Sequence, residues 1–188
     1  MSTAIHTRAT LDDLMNVEGK AELIGGRVVD FMPTGFLRGL VAINIAFSLK
    51  ERARALGVGV ALGDNVGFAV PELTSGRESF SPDASYYAGP LPKNSMKFIQ
   101  GPPTLAVEVR SECDYSPAAE GILAEKRADY FAAGTLVVWD VDPVAECIHV
   151  YRSDSPEMPT TYSRGQVAEA DPAVPGWRPL IDEFFPAR

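Results

Sequence analysis

Apolar and polar positions alternate along this chain in short strand-like runs cut by turn residues, with two longer stretches of helical spacing among them. A short helix is expected over residues 10–18, capped by Thr10, with Asp12 and Asp13 in its first turn where they complement the dipole. Residues 21–32 read as a β-hairpin turning on Gly25-Gly26. Residues 36–56 form the longest helix candidate, with Leu40, Ile43, Phe47 and Leu49 as its apolar positions and Gly57 as its stop. Lys50, Arg52 and Arg54 fall late in it and read as a solvated face complementing the dipole. Strands are expected at 58–62 and 66–70, joined by a Gly-Asp-Asn turn, and a short one follows Pro82-Asp83. Residues 71–81 read as a polar loop, and the Gly- and Pro-rich 88–103 as a long connection. Residues 104–109 are almost continuously apolar, the mark of a central strand buried on both faces. A second helix spans 116–133, with Ser116 as cap, Pro117 in first position and Gly134 as stop. A hairpin over 136–141 and 147–152, a polar loop over 153–164 and an aromatic tail that packs back on the body complete the pattern.

With 188 residues, 46% of them hydrophobic, the chain fits one domain over 1–188 with a real core and a mobile terminus over 1–9. A net charge of -8 argues against broad non-specific nucleic-acid binding, which depends on Lys and Arg, but leaves room for a local basic groove. The N-terminus is polar and lacks a secretory apolar segment, and no apolar run approaches the roughly 20 residues of a membrane span. Cys113 and Cys147 are too few and too scattered for a disulfide framework or a zinc site, and read as free thiols in a reducing cytoplasm. His6 and His149 sit in unlike contexts and give no histidine chemistry.

The candidate chemistry lies between Pro82 and Lys126. Asp83 and Glu108 flank apolar strand-like runs, and strands hold side chains firmly enough for two acids to converge. Two such carboxylates make a hard oxygen site suited to Mg²⁺. Glu108 near the end of a buried strand is costly unless paired or metal-bound, the alternative being a structural ion pair. Lys126 shares a helix face with Ile122 and Tyr130 at spacing four, so it points towards the domain, or else pairs at the surface with a neighbouring acid. A lysine there can hold a phosphate or orient a water. Glu22, taken alone, reads as an exposed edge charge on the first strand.

Pro82-Asp83 followed by Glu108-Val109-Arg110 resembles the motif of PD-(D/E)XK nucleases, with Arg110 where lysine is expected. More closely, E-L-I-G-G-R-V-V, P-D-A-S, L-A-V-E-V-R-S, K-R-A-D-Y-F-A-A-G, L-V-V-W-D-V-D-P and V-P-G-W resemble, over residues 10–185, the Uma-two family of bacterial restriction endonucleases. The resemblance implies an α/β fold with a restriction-endonuclease-like core, a mixed central β-sheet flanked by helices. It implies Asp83, Glu108 and the Val109 carbonyl as ligands of Mg²⁺ or Mn²⁺, and Lys126 supplying from the helix the function of the motif lysine. Glu22 becomes an outer acid, with Arg110 and Tyr130 also around the site, and Arg38 stands about where the family carries a histidine. The function implied is DNA phosphodiester hydrolysis, by a homodimer where both strands are cut. Its rivals are a nuclease-fold module that binds nucleic acid or protein without cutting, favoured by Arg110 and the acidic total, and hydrolysis of another phosphate ester.

Overall fold

The computed structural model describes residues 8–187. Residues 1–7, with His6 and most of the terminus expected to be mobile, lie outside the described residues, whereas the Ala9 amide donates to the Gly26 carbonyl at 2.8 Å. Helix α1 (Leu11–Met15) is shorter than its pattern suggests, although Thr10 and Asp13 form the reciprocal capping box that starts it. The hairpin of β1 (Lys20–Ile24) and β2 (Arg27–Phe31) follows, turning on two glycines with positive φ. Helix α2 (Phe36–Leu56) has the bounds that its pattern predicts, and Gly57 ends it in the left-handed region at φ 68°.

Next come β3 (Val60–Leu62), β4 (Phe68–Ala69), β5 (Ser79–Phe80), β6 (Ala84–Tyr87), β7 (Ile99–Gln100) and β8 (Leu105–Val109). Helix α3 (Pro117–Ala133) starts where Ser116 Oγ accepts the Ala119 amide at 3.1 Å, with Pro117 in its first turn. The chain then forms β9 (Val137–Asp142), β10 (Cys147–Arg152) and β11 (Thr160–Ser163). A six-stranded mixed sheet runs β11-β10-β9-β8-β6-β3, in which β8 and β9 are parallel and the other neighbours antiparallel. The β1-β2 hairpin and a small β5-β4-β7 sheet stand apart from it.

Two apolar layers cover the main sheet, and the two-residue period of β8 sorts its side chains between them. Leu105, Val107 and Val109 join Val41, Ile45 and Leu49 of α2 and the C-terminal Trp177 and Phe184. Ala106 faces the other layer with Phe80 and Tyr130 of α3, and Glu108, two residues further on, shares that face. Trp139 of β9 stacks on Trp177 at 4.6 Å between ring centroids, so the tail packs back as its aromatics suggest.

Several expectations change. The buried face of α2 is Val41, Ala42, Ile45, Leu49 and Ala53, while Ile43 and Phe47 are exposed: alanine and valine fill the close approach to the sheet. β3 and β4 lie in different sheets rather than in one hairpin. The polar 153–164 stretch contains β11, an edge strand whose solvent-facing residues hide its period. Cys113 and Cys147 are free thiols, and among the described residues no helix is long and apolar enough to cross a membrane. Replacing Trp177 by alanine is expected to cost about 3–5 kcal/mol of stability, as for large buried aromatics generally, measured by urea unfolding followed by circular dichroism.

Candidate active site

Asp83 immediately precedes β6, and its amide donates to the Val107 carbonyl of β8 at 3.0 Å, which fixes it beside the end of that strand. Its carboxylate is almost fully buried. Oδ2 accepts the Val109 amide at 2.8 Å, while Oδ1 accepts from Lys20 Nζ at 2.6 Å and Arg38 Nη2 at 2.8 Å. Glu108 projects from the same strand towards α3, where its Oε1 accepts from Tyr130 Oη at 2.6 Å and Lys126 Nζ at 2.9 Å. Ile122, one turn before Lys126, stays exposed, so the face it shares with Lys126 and Tyr130 runs from solvent into the core. Tyr130 is held in place by stacking on Phe80 at 4.1 Å.

Glu22 overturns its reading as an exposed edge charge, since it is completely buried. Its Oε1 accepts the Ser81 amide at 3.0 Å and Lys126 Nζ at 2.9 Å, and its Oε2 pairs with Arg77. Arg77 in turn donates Nε to Asp129 at 2.8 Å. A chain of alternating charge therefore runs Asp129, Arg77, Glu22, Lys126, Glu108, each buried ion having an opposite neighbour, the condition under which such burial is tolerated.

Arg110, at the motif lysine position, turns away from the two carboxylates. It grips Asp140 of β9 through two bonds of 2.8 and 2.7 Å and also pairs with Glu120, beside Arg127 from α3. Lys126 is thus the cation beside Glu108.

The electrostatics follow from burial and partners. Burial, reinforced by Glu108, pushes the Asp83 carboxyl up from its ordinary range. Burial would raise Glu108 as well, but Lys126 and Lys20 draw it below that range. Desolvation would strip the proton from Lys126, yet Glu108 and Glu22 overcome it and hold its pKa above the ordinary lysine value. Lys126 therefore stands as a positive charge between its two acids at neutral pH. Tyr130 is pushed far up by burial and by Glu108, so its hydroxyl keeps its proton and donates it.

A cleft of about 410 Å³ opens over this group, with Glu108, Val109, Arg38, Lys20 and Lys126 on its wall and Phe31 of β2 lying 5.4 Å from Lys126 Nζ. Asp83 lies behind Lys20 and Arg38. No set of three or more Asp, Glu, His or Cys among the described residues is placed to hold a metal ion. Asp83, Glu108 and the Val109 carbonyl are nonetheless hard oxygen donors, and two carboxylates suffice for an ion such as Mg²⁺ that keeps several waters. The donor chemistry fits that ion. Sequence reasoning missed Lys20 and Arg77 and left Arg38 without a role. The Lys20-Ala21-Glu22 spacing puts Lys20 and Glu22 on one face of β1 and was a signal for the first, whereas Arg77 lies in a loop with no period.

A family model described as "Putative restriction endonuclease" matches residues 9–182. The chain belongs to the Uma2 family. A crystal structure described as a "putative nuclease belonging to DUF820", from Anabaena variabilis, superposes with a TM-score of 0.71 at 18% identity, covering 94% of this chain and 97% of that one. That likeness shows a shared fold, the restriction-endonuclease-like arrangement of a mixed sheet flanked by helices. No curated protein matches the chain.

Arg77→Met is expected to destabilise the domain by about 3–5 kcal/mol, because it leaves Glu22 and Asp129 without their shared cation. Adding Glu22→Gln should recover part of that loss. Urea unfolding of the wild type, both single variants and the double variant measures the coupling.

Proposed function

We propose that this protein is a divalent-metal-dependent endodeoxyribonuclease that hydrolyses phosphodiester bonds in DNA. The observation that supports this reading is at the end of β8, where Asp83 accepts the Val109 amide and Glu108 pairs with the protonated Lys126, with Glu108 and Val109 on the wall of an open cleft. Asp83, Glu108 and Val109 would hold Mg²⁺ or Mn²⁺, which when bound polarises the phosphate and lowers the pKa of a water. Lys126, locked between Glu108 and Glu22, presents a fixed positive charge to an attacking water or to the developing negative charge. Tyr130 and Glu22 act at one remove, Tyr130 by orienting Glu108 and Glu22 by orienting Lys126. Arg110, saturated by Asp140 and Glu120, stays outside the reacting group. The family's description supports DNA as the substrate, and a homodimer would bring one site to each strand of a duplex.

The complete internal pairing of Asp83 favours a second reading, a nuclease-fold module that binds nucleic acid or protein without cutting. Cleavage of plasmid and linear DNA with Mg²⁺ or Mn²⁺ separates the two. Asp83→Asn and Glu108→Gln are expected to reduce cleavage at least about 100-fold. Lys126→Met should lose at least about 10-fold, with Lys126→Arg retaining more because it keeps the charge. Full metal-dependent cleavage by Asp83→Asn would refute the assignment, and absence of cleavage by any form would favour the binding module.

A further inference from the structure

Arg38 stands in an unusual relation to the two strands of the site. It sits in the first turn of α2, and its guanidinium reaches both oxygens that a metal would share on this side. Nε donates to the Val109 carbonyl at 2.7 Å and Nη2 to Asp83 Oδ1 at 2.8 Å. Its remaining bond is to Thr34 Oγ1 at 3.1 Å, a neighbour on its own segment. Lys20 also reaches Asp83 Oδ1, but its other bond goes to Asp64 at 2.7 Å. The guanidinium is thus the group that bridges the two oxygens, and it is partly exposed in the cleft, so it has somewhere to go.

We infer that Arg38 is an exchangeable counter-cation of the site, competing with the divalent ion for Asp83 Oδ1 and the Val109 carbonyl. This rests on the metal site proposed above. Asp83, buried beside Glu108, needs positive charge whether or not a metal is bound, and Arg38 shares that task with Lys20 from within the chain. Asp83 and Val109 holding a divalent ion would set like charge against the guanidinium, which would then be displaced. Released, it lies on the cleft wall, where planar paired donors suit a phosphate. Arg38 therefore lowers metal affinity and confines full loading to conditions in which something else accepts the guanidinium.

The test is binding of Mn²⁺ to the full chain, read from loss of the free-ion electron paramagnetic resonance signal, without substrate. Arg38→Met removes the competitor and is expected to bind Mn²⁺ at least about tenfold more tightly than the wild type. Arg38→Lys keeps the charge but cannot bridge both oxygens, so it should fall between them, and it retains a cation beside Asp83 should the methionine variant fail to fold. Circular dichroism confirms the folded state of each. Equal or weaker binding by the variants, with the wild type binding Mn²⁺, would overturn the inference and leave the metal site standing. Absence of binding in every form would remove both.

Discussion

Glu22 and Asp83 are carboxylates drawn into the interior and Glu108 lies half-buried at the cleft wall, and their charge has to be answered there by cations from other parts of the chain. Lys20 and Glu22 arrive together on one hairpin strand, Arg38 comes from the start of α2, Arg77 from a loop and Lys126 from α3. Because desolvation of an unpaired carboxylate would cost several kcal/mol, each of these elements is held near the end of β8 by the partner it supplies. The parallel pairing of β8 with β9 and its antiparallel pairing with β6 supply the fixed frame on which those charges are measured out.

The functional reading depends on the same pairing. A lysine in water is a flexible, strongly hydrated charge, whereas Lys126 between two buried acids has its position and its protonation set in advance. Such preorganisation is what makes a positive charge effective against a developing negative one. Arg110 illustrates the converse: it occupies the motif position in sequence, but Asp140 on the neighbouring strand offers it a two-bond grip that the carboxylates of the site do not.

What could be read from the sequence was whatever carried a local mark. Asp83 and Glu108 interrupt apolar runs, Lys126 lies on a helical face ending in the buried Tyr130, and the caps of α2 and α3 announce their bounds through Gly57, Ser116, Pro117 and Gly134. Arg77 had no such mark, because its importance comes only from what the fold brings to it, Glu22 on one side and Asp129 on the other. Glu22 taken alone looks like an edge residue for the same reason, and only the family resemblance puts it beside the site, over which its strand lies. β11 carries little signal in the sequence, since an edge strand with one packed face and few apolar residues leaves little period.

The β1-β2 hairpin shares no ladder with the main sheet, yet it brings Lys20 and Glu22 to the carboxylates of that sheet and to Lys126. Among its attachments are a bridge from Ile24 to Arg77, a bond from the Leu23 amide to Ser79 and one from the Gly25 amide to Gly76. All of these join residues far apart along the chain, so they form only after long loops have closed, whereas α2, α3 and the β9-β10 hairpin are built from near neighbours. The charges around Glu108 therefore depend on contacts of long sequence separation, which carry a larger loop-closure cost than local ones. A hairpin outside the main sheet thus makes the sheet's acids answerable to a part of the chain far from them in sequence.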